Sequence, residues 1–340
     1  MLIGAILLAI SFYALIHPSQ VYTELWLLIY SILVYLGWSI ISIPYLAWSA
    51  EITFVYHEKT RLSAAREIFT IVGALCALLI PYLYGVSDDV SKSMGLLYVV
   101  FILLLVVMLP VTLLGTKEDT VKSTKNAGFK EIKKLWKRAP GLRNLQTAFV
   151  LNALANALPA TLFLFFVGLV LQEESQTGAL LRLYFVSGII GLPFWTMLSK
   201  KIGKRKAWQA SMLLASVAFV FVPFLESGDF IAFGVISFVS GLSLGADMAL
   251  PSSIQADIVQ KVQSQKVSYA GILFGFWAML TKFALALAVG IGFVILGLAG
   301  FDPDAPTSFA LDTLSLLYGG VPVLIKLFAF WMMRGYNETV

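Results

Sequence analysis

The chain has 340 residues, of which 59% are hydrophobic and 13% charged, with a mean hydropathy of +0.87. Soluble domains lie nearer half apolar and a quarter charged, so a cytosolic enzyme and a disordered chain are both excluded. The net charge of +5 matters less in a membrane protein than where the Lys and Arg fall.

In chain order, apolar runs predict membrane spans at about 1–16, 24–49, 64–85 and 94–115. After a long basic loop they resume at about 144–170, 179–199, 207–225, 230–257, 268–299 and 309–333. The runs are too long and too continuous for barrel strands, so helices are expected. The fold class is therefore all-α, a polytopic helical bundle of about ten spans. Its expected parts are an N-terminal bundle over 1–115, a basic loop over 116–143 and a six-helix bundle over 144–340. The apolar N-terminus runs on without a cleavage-site pattern and reads as a span, not a signal peptide. Cys76 is the sole cysteine, and His17 and His57 are the only histidines. An intrachain disulfide is excluded, and a zinc or haem centre is not expected.

Charge sets the expected orientation. One side carries Lys59 and Arg61, then the loop cations Lys117, Lys122, Lys125, Lys130, Lys133, Lys134, Lys137, Arg138 and Arg143. Lys200, Lys201, Lys204, Arg205 and Lys206 follow, then Lys261, Lys266 and Arg334. The other side carries Asp88, Asp89, Glu173, Glu174, Glu226, Asp229, Asp302 and Asp304, with Lys92 as its basic exception and Arg182 opening the next span. The basic side is expected to be cytoplasmic, with both termini there and the protein in the plasma membrane. The basic loop is an orientation signal, and no nucleic-acid partner is expected. Gly203 among its basic neighbours reads as a tight turn between two spans.

Two stretches resemble each other. Ile43-Pro44, Ala50-Glu51-Ile52, Lys59 and Arg61 are matched by Leu250-Pro251, Ala256-Asp257-Ile258, Lys261 and Lys266. Each ends an inward-running span, and each is followed by one span out and one span back. Such repeats are typical of transporters built from two similar halves. If the halves are true repeats, the first lacks two spans at its start.

The run Ile43-Pro44-Tyr45-Leu46-Ala47-Trp48-Ser49-Ala50-Glu51 leads to Tyr56-His57-Glu58-Lys59-Thr60-Arg61 and Ala65-Arg66-Glu67. It resembles the fourth-to-fifth helix signature of the glycoside–pentoside–hexuronide:cation symporters, the melibiose-carrier family within the major facilitator superfamily. Gly245-Ala246-Asp247-Met248-Ala249-Leu250-Pro251 through Ala256-Asp257 resembles the family's tenth helix, and Thr281-Lys282-Phe283 with Ala284 to Gly290 its eleventh. The resemblance implies twelve helices in two bundles, with this chain starting at the third. It also implies that the carboxylates holding the coupling cation belong to the second helix, so no metal-site residue is assigned. Ser42 stands where melibiose-type members carry Asp, two residues before the helix-four proline, which puts a galactoside-like substrate in question.

Several residues are candidates for the site. Lys282 lies mid-span, where a Lys costs roughly 2.5–3.5 kcal/mol on insertion scales, and small neighbours on its face would let a helix approach closely. It lines a cavity or forms a structural charge pair; the family's intramembrane Lys favours the cavity. Asp247, also mid-span, is a proton carrier in a polar cavity or the partner of Lys282 in a fixed salt bridge. Trp38, Ser42, Tyr45 and Ser49 recur at helical spacing, as a sugar-binding stripe or as packing. Asn152 and Asn156, one turn apart, contact substrate or join helices. Glu51, Arg66 and Asp257 latch a cytoplasmic gate or are solvated helix-end charges.

The expected function is secondary transport of a small solute, a sugar or glycoside, coupled to Na⁺ or H⁺ and working as a monomer by alternating access. No other cofactor and no enzyme activity are expected, since no catalytic constellation stands out. Two alternatives stay open: a carrier of lipid or lysophospholipid, and a truncated, transport-inactive fragment. A wide apolar cavity opening to the bilayer would favour lipid, and a closed polar pocket sugar.

Overall fold

The computed structural model describes residues 1–18, 23–51, 56–86, 89–115, 125–126, 134–137, 140–262 and 267–336. Lys117, Lys122, Lys130, Lys133, Arg138, Lys266 and Asp88 of the expected charge pattern, and the side chain of Glu51, lie outside these described residues. The fold is an all-helical membrane bundle. Its helices are α1 Leu2–Ile16, α2 Thr23–Glu51, α3 Tyr56–Leu83, α4 Val90–Gly115, α5 Pro140–Phe165, α6 Thr177–Ile202 and α7 Lys204–Phe219. They continue with α8 Phe230–Val262, α9 Ala270–Leu298, α10 Ser308–Ser315 and α11 Val321–Met333. π-helical segments prolong α5 over Phe166–Val170 and join α10 to α11 over Leu316–Gly320.

Among the described residues, nine helical segments are long and apolar enough to cross a membrane, α10 and α11 counting as one. α1, with 15 residues, is about 22 Å long, short of the hydrocarbon thickness of about 30 Å. Helices outrun the expected spans on the basic side: α3 starts at Tyr56, α7 at Lys204, and α8 runs on to Val262. Apolar runs stop where charges begin, but the backbone there stays helical because the charged side chains find partners. Gly203, at φ 87°, makes the turn from α6 into α7, a left-handed conformation that favours glycine. Among the acids of the opposite side, Asp89 pairs with Lys92 at 3.0 Å. Asp89 Oδ1 also accepts the Lys92 backbone N–H at 3.0 Å, and these bonds hold its carboxyl below the usual carboxylate range.

The core sits in the later helices. One apolar cluster gathers Leu145, Trp208, Leu250 and Leu273 from α5, α7, α8 and α9. A second gathers Leu162, Phe166, Phe233 and Tyr318 towards the acidic-loop end. α6 and α8 pack through small residues on both faces, Ser187, Gly188 and Gly191 against Gly241 and Gly245. A Cβ on Gly245 would stand 2.6 Å from the Leu192 backbone N and 2.8 Å from the Gly188 carbonyl. Close approach of this kind is what holds helices together in lipid, where burial adds no drive. The earlier helices join this core at two seams: α3 packs on α6 and α8, and α2 on α8 and α9. Lys125–Asn126 of the central loop pairs in parallel with Val267–Ser268, between α8 and α9.

Candidate functional site

α8 presents Phe233, Ser237, Ser240, Leu244 and Asp247 on one face, at the spacing of a helical stripe. Fourteen residues separate its ends, about 21 Å along the axis. The stripe forms one wall of a cavity of about 640 Å³, closed by residues of α3, α4, α5, α6, α7, the π-helical segment before α11, and α11 itself. Most of the lining is apolar: Ala74, Leu78, Leu97, Phe163, Phe185 and Val323 are representative. Charge is confined to the Asp247 end. There the Asp247 carboxylate accepts from Trp208 Nε1 at 2.9 Å, Asn156 Nδ2 at 2.9 Å and Lys326 Nζ at 2.8 Å. Lys326 Nζ also donates to Asn152 Oδ1 at 2.8 Å. Asn152 and Asn156, four residues apart on α5, share a face, so one amide grips each member of the pair. The Lys326 and Asp247 side chains are only 8% and 5% exposed.

Asp247 thus forms the fixed salt bridge that was one of its two readings, but the expected cation is wrong. Its partner is Lys326. Lys282 lies elsewhere, at the seam of α9 with α2, where its Nζ donates to the Tyr35 carbonyl at 3.0 Å and to Ser39 Oγ. It also stands 5.5 Å over the Tyr35 ring. Among the described residues no carboxylate pairs with it. Lys326 was open to the same reasoning as Lys282, being a single Lys inside the apolar run Val321–Met333. Trp208 carried no such signal, because only its indole N–H distinguishes it from a packing residue.

The stripe Trp38, Ser42 and Tyr45 does not line the cavity. Trp38 is 56% exposed, and Tyr45 meets Trp48 at 6.3 Å between ring centroids. α2 turns Tyr35, Ser39 and Ile43 towards α9 instead, a face one residue away from the stripe.

At the basic-loop end the two parts of the chain are tied by charge. Asp257 Oδ1 accepts from Lys59 Nζ at 3.0 Å and Oδ2 from Lys204 Nζ at 2.5 Å, while Lys59 also bonds Gln260. Lys59 and Lys204, expected as loop cations, are helix residues with side chains 2% and 1% exposed. Arg66 does not reach Asp257. Its guanidinium pairs with Glu67 at 2.6 Å and bonds Ser252 Oγ at 3.3 Å. Thr60 and Ser253 hydroxyls meet at 2.9 Å. Of the expected gate residues whose side chains are described, Asp257 alone bridges α3 to α7 and α8 through an ion pair.

Residues 1–338 match a family model described as MFS/sugar transport protein. Over 231 residues the chain is 26% identical to the sodium-dependent lysophosphatidylcholine symporter 1-A of Danio rerio, covering 65% of this chain and 43% of that one. Over 296 residues it is 23% identical to the sphingosine-1-phosphate transporter MFSD2B of Xenopus tropicalis, covering 84% and 52%. The chain spans about half the length of the curated relatives it matches. Its fold is similar to that of the major facilitator superfamily transporter FucP in the outward conformation, with a TM-score of 0.67, 13% identity, and coverage of 98% and 82%.

Proposed function

The chain belongs to the MFS/sugar transport protein family, and we propose that it carries a single-tailed, polar-headed lipid across the membrane by alternating access. The observation that carries this is the cavity, long and apolar with its charges gathered at one end. A lipid tail leaves the bilayer for such a lining at little cost, because one apolar surround replaces another. A sugar does worse there. Each hydroxyl buried without a partner costs about 1–3 kcal/mol, and two of the lining serines, Ser216 and Ser240, spend their hydroxyls on backbone carbonyls. Leu164 lines the cavity and is 66% exposed within a spanning segment, and in this proposal the tail enters past it. The names of the relatives, which carry lysophosphatidylcholine and sphingosine-1-phosphate, point the same way.

In this proposal the head group rests at Asp247, Lys326 and Asn156, and Lys282 offers a second cation on the route between α2 and α9. The Lys59–Asp257–Lys204 cluster closes the cytoplasmic end and must open for release. Both termini are cytoplasmic and the membrane is the plasma membrane. The driving ion is Na⁺, which the relatives' printed names favour over H⁺. The family description keeps a sugar as the second reading. Proteoliposomes holding the purified chain decide: with an inward Na⁺ gradient they take up labelled lysophospholipid and not labelled monosaccharide or glycoside. Sugar uptake with no lipid uptake would overturn the proposal.

A further inference from the structure

The cavity holds a second group of polar atoms, away from the Asp247–Lys326 pair. Tyr184 of α6, Ser237 of α8 and Tyr318, in the π-helical segment before α11, all line it. Their hydroxyls have no hydrogen-bond partner among the described residues. This sets them apart from Ser216 and Ser240, which bond their own helices. Tyr318 is 4% exposed. Its ring is held by Phe166 at 4.3 Å, Phe219 at 6.0 Å and Phe233 at 6.0 Å between centroids, so its position is fixed by packing. The Tyr184 backbone lies against Gly241 of α8 and the Tyr318 ring against Phe233, both on the stretch of α8 that runs from Asp247 to Phe233 along the cavity. The order along the cavity is therefore ion pair, Tyr184, Tyr318. Buried hydroxyls in proteins are as a rule partnered, and an O–H donor on the wall of a cavity suits a carbonyl oxygen, which has two lone pairs.

We propose that Tyr184 and Tyr318 form a second recognition subsite, which takes the ester carbonyl of an acylated single-tailed lipid. This rests on the lipid reading above. The ester lies just beyond the head group, so a head at Asp247 and Lys326 brings it to the tyrosines while the tail continues among Phe163, Phe219 and Phe233. The subsite sorts acyl lipids from ether-linked ones, whose oxygen is the weaker acceptor and whose chain lacks the carbonyl. A site built to hydrogen-bond one group discriminates strongly against analogues without it.

The test uses the purified full chain in lipid nanodiscs and equilibrium binding of two probes, 1-acyl lysophosphatidylcholine and its 1-alkyl ether analogue of equal chain length. The wild-type chain should favour the acyl probe by roughly fivefold or more, the effect of one or two net hydrogen bonds. Tyr184→Phe and Tyr318→Phe each keep the ring and should bring the ratio towards one by weakening the acyl probe more than the ether probe. Should Tyr318→Phe unfold the aromatic cluster, Tyr184→Phe decides alone. A wild-type ratio near one, or a ratio that neither variant moves, overturns the subsite and leaves the lipid reading standing. Failure of the wild-type chain to bind either probe while it binds a sugar overturns both.

Discussion

Lys326→Met leaves the Asp247 carboxylate buried, with the Trp208 and Asn156 donors but no cation. The side chain it loses is nearly as buried as Asp247 itself and made bonds at 2.8 Å to both Asp247 and Asn152. Removing one member of a buried pair costs about 3–5 kcal/mol. The two remaining donors put this case near the lower figure, roughly 3 kcal/mol. For a protein of this size that amounts to a fall of about 4 °C in the thermal midpoint, read by unfolding of the purified chain in a fixed detergent. Asp247→Asn strands the lysine instead and should fall by a similar amount. The double variant removes both charges and should recover most of the loss, with a coupling of about 2 kcal/mol or more between the sites. Because the pair also holds the head group in the proposed mechanism, the double variant should still fail to take up lipid. Single variants within about 1 °C of wild type, or a double variant no better than the worse single, would refute the view that this pair organises the site.

Asp257→Asn should loosen the proposed closure at the basic-loop end: a cysteine placed at the buried Ser253 in a Cys76→Ser background, unreactive with the native aspartate, should label at least several-fold faster with membrane-permeant maleimide. Gly245→Leu should abolish stable folding, since even a Cβ would meet the α6 backbone at 2.6 Å. Gly297→Leu should leave expression and melting unchanged, because nothing lies within 4 Å of its Cβ position. Ala160→Trp, in the cavity wall, should depress uptake of long-tailed lipid more than of short-tailed lipid, measured as a ratio of initial rates. Lys282→Met should melt within about 1 kcal/mol of wild type, since no carboxylate among the described residues depends on it, and yet lower uptake if this cation meets the lipid on its route.

The helices were legible because all but the 15-residue α1 carry runs of some twenty apolar residues, a signal that no tertiary contact needs to supply. Their ends were not. Lys59 and Lys204 look like loop cations in sequence, and only the packing of α3, α7 and α8 brings Asp257 between them. The site divides in the same way. Asp247, Asn152 and Asn156 stood out as polar residues inside spans, and the fold draws all three together with one lysine. Which lysine was not written locally, because Lys282 and Lys326 are each a lone cation in an apolar run and differ only in the helix that faces them. The α2 stripe shows the complementary weakness. Helical spacing tells which residues share a face but not what that face meets, and the face turned to α9 is the neighbouring one. The cavity's apolar character was invisible for the same reason, since Ala74, Phe163 and Leu97 look like any lipid-facing residues until several helices enclose them.

Uptake of labelled lysophospholipid into proteoliposomes tests the central claim most directly. With an inward Na⁺ gradient, the wild-type chain should accumulate the lipid above the level of empty vesicles, and the Asp247→Asn, Lys326→Met double variant should not. No Na⁺-driven lipid accumulation, together with accumulation of a sugar, would contradict the account.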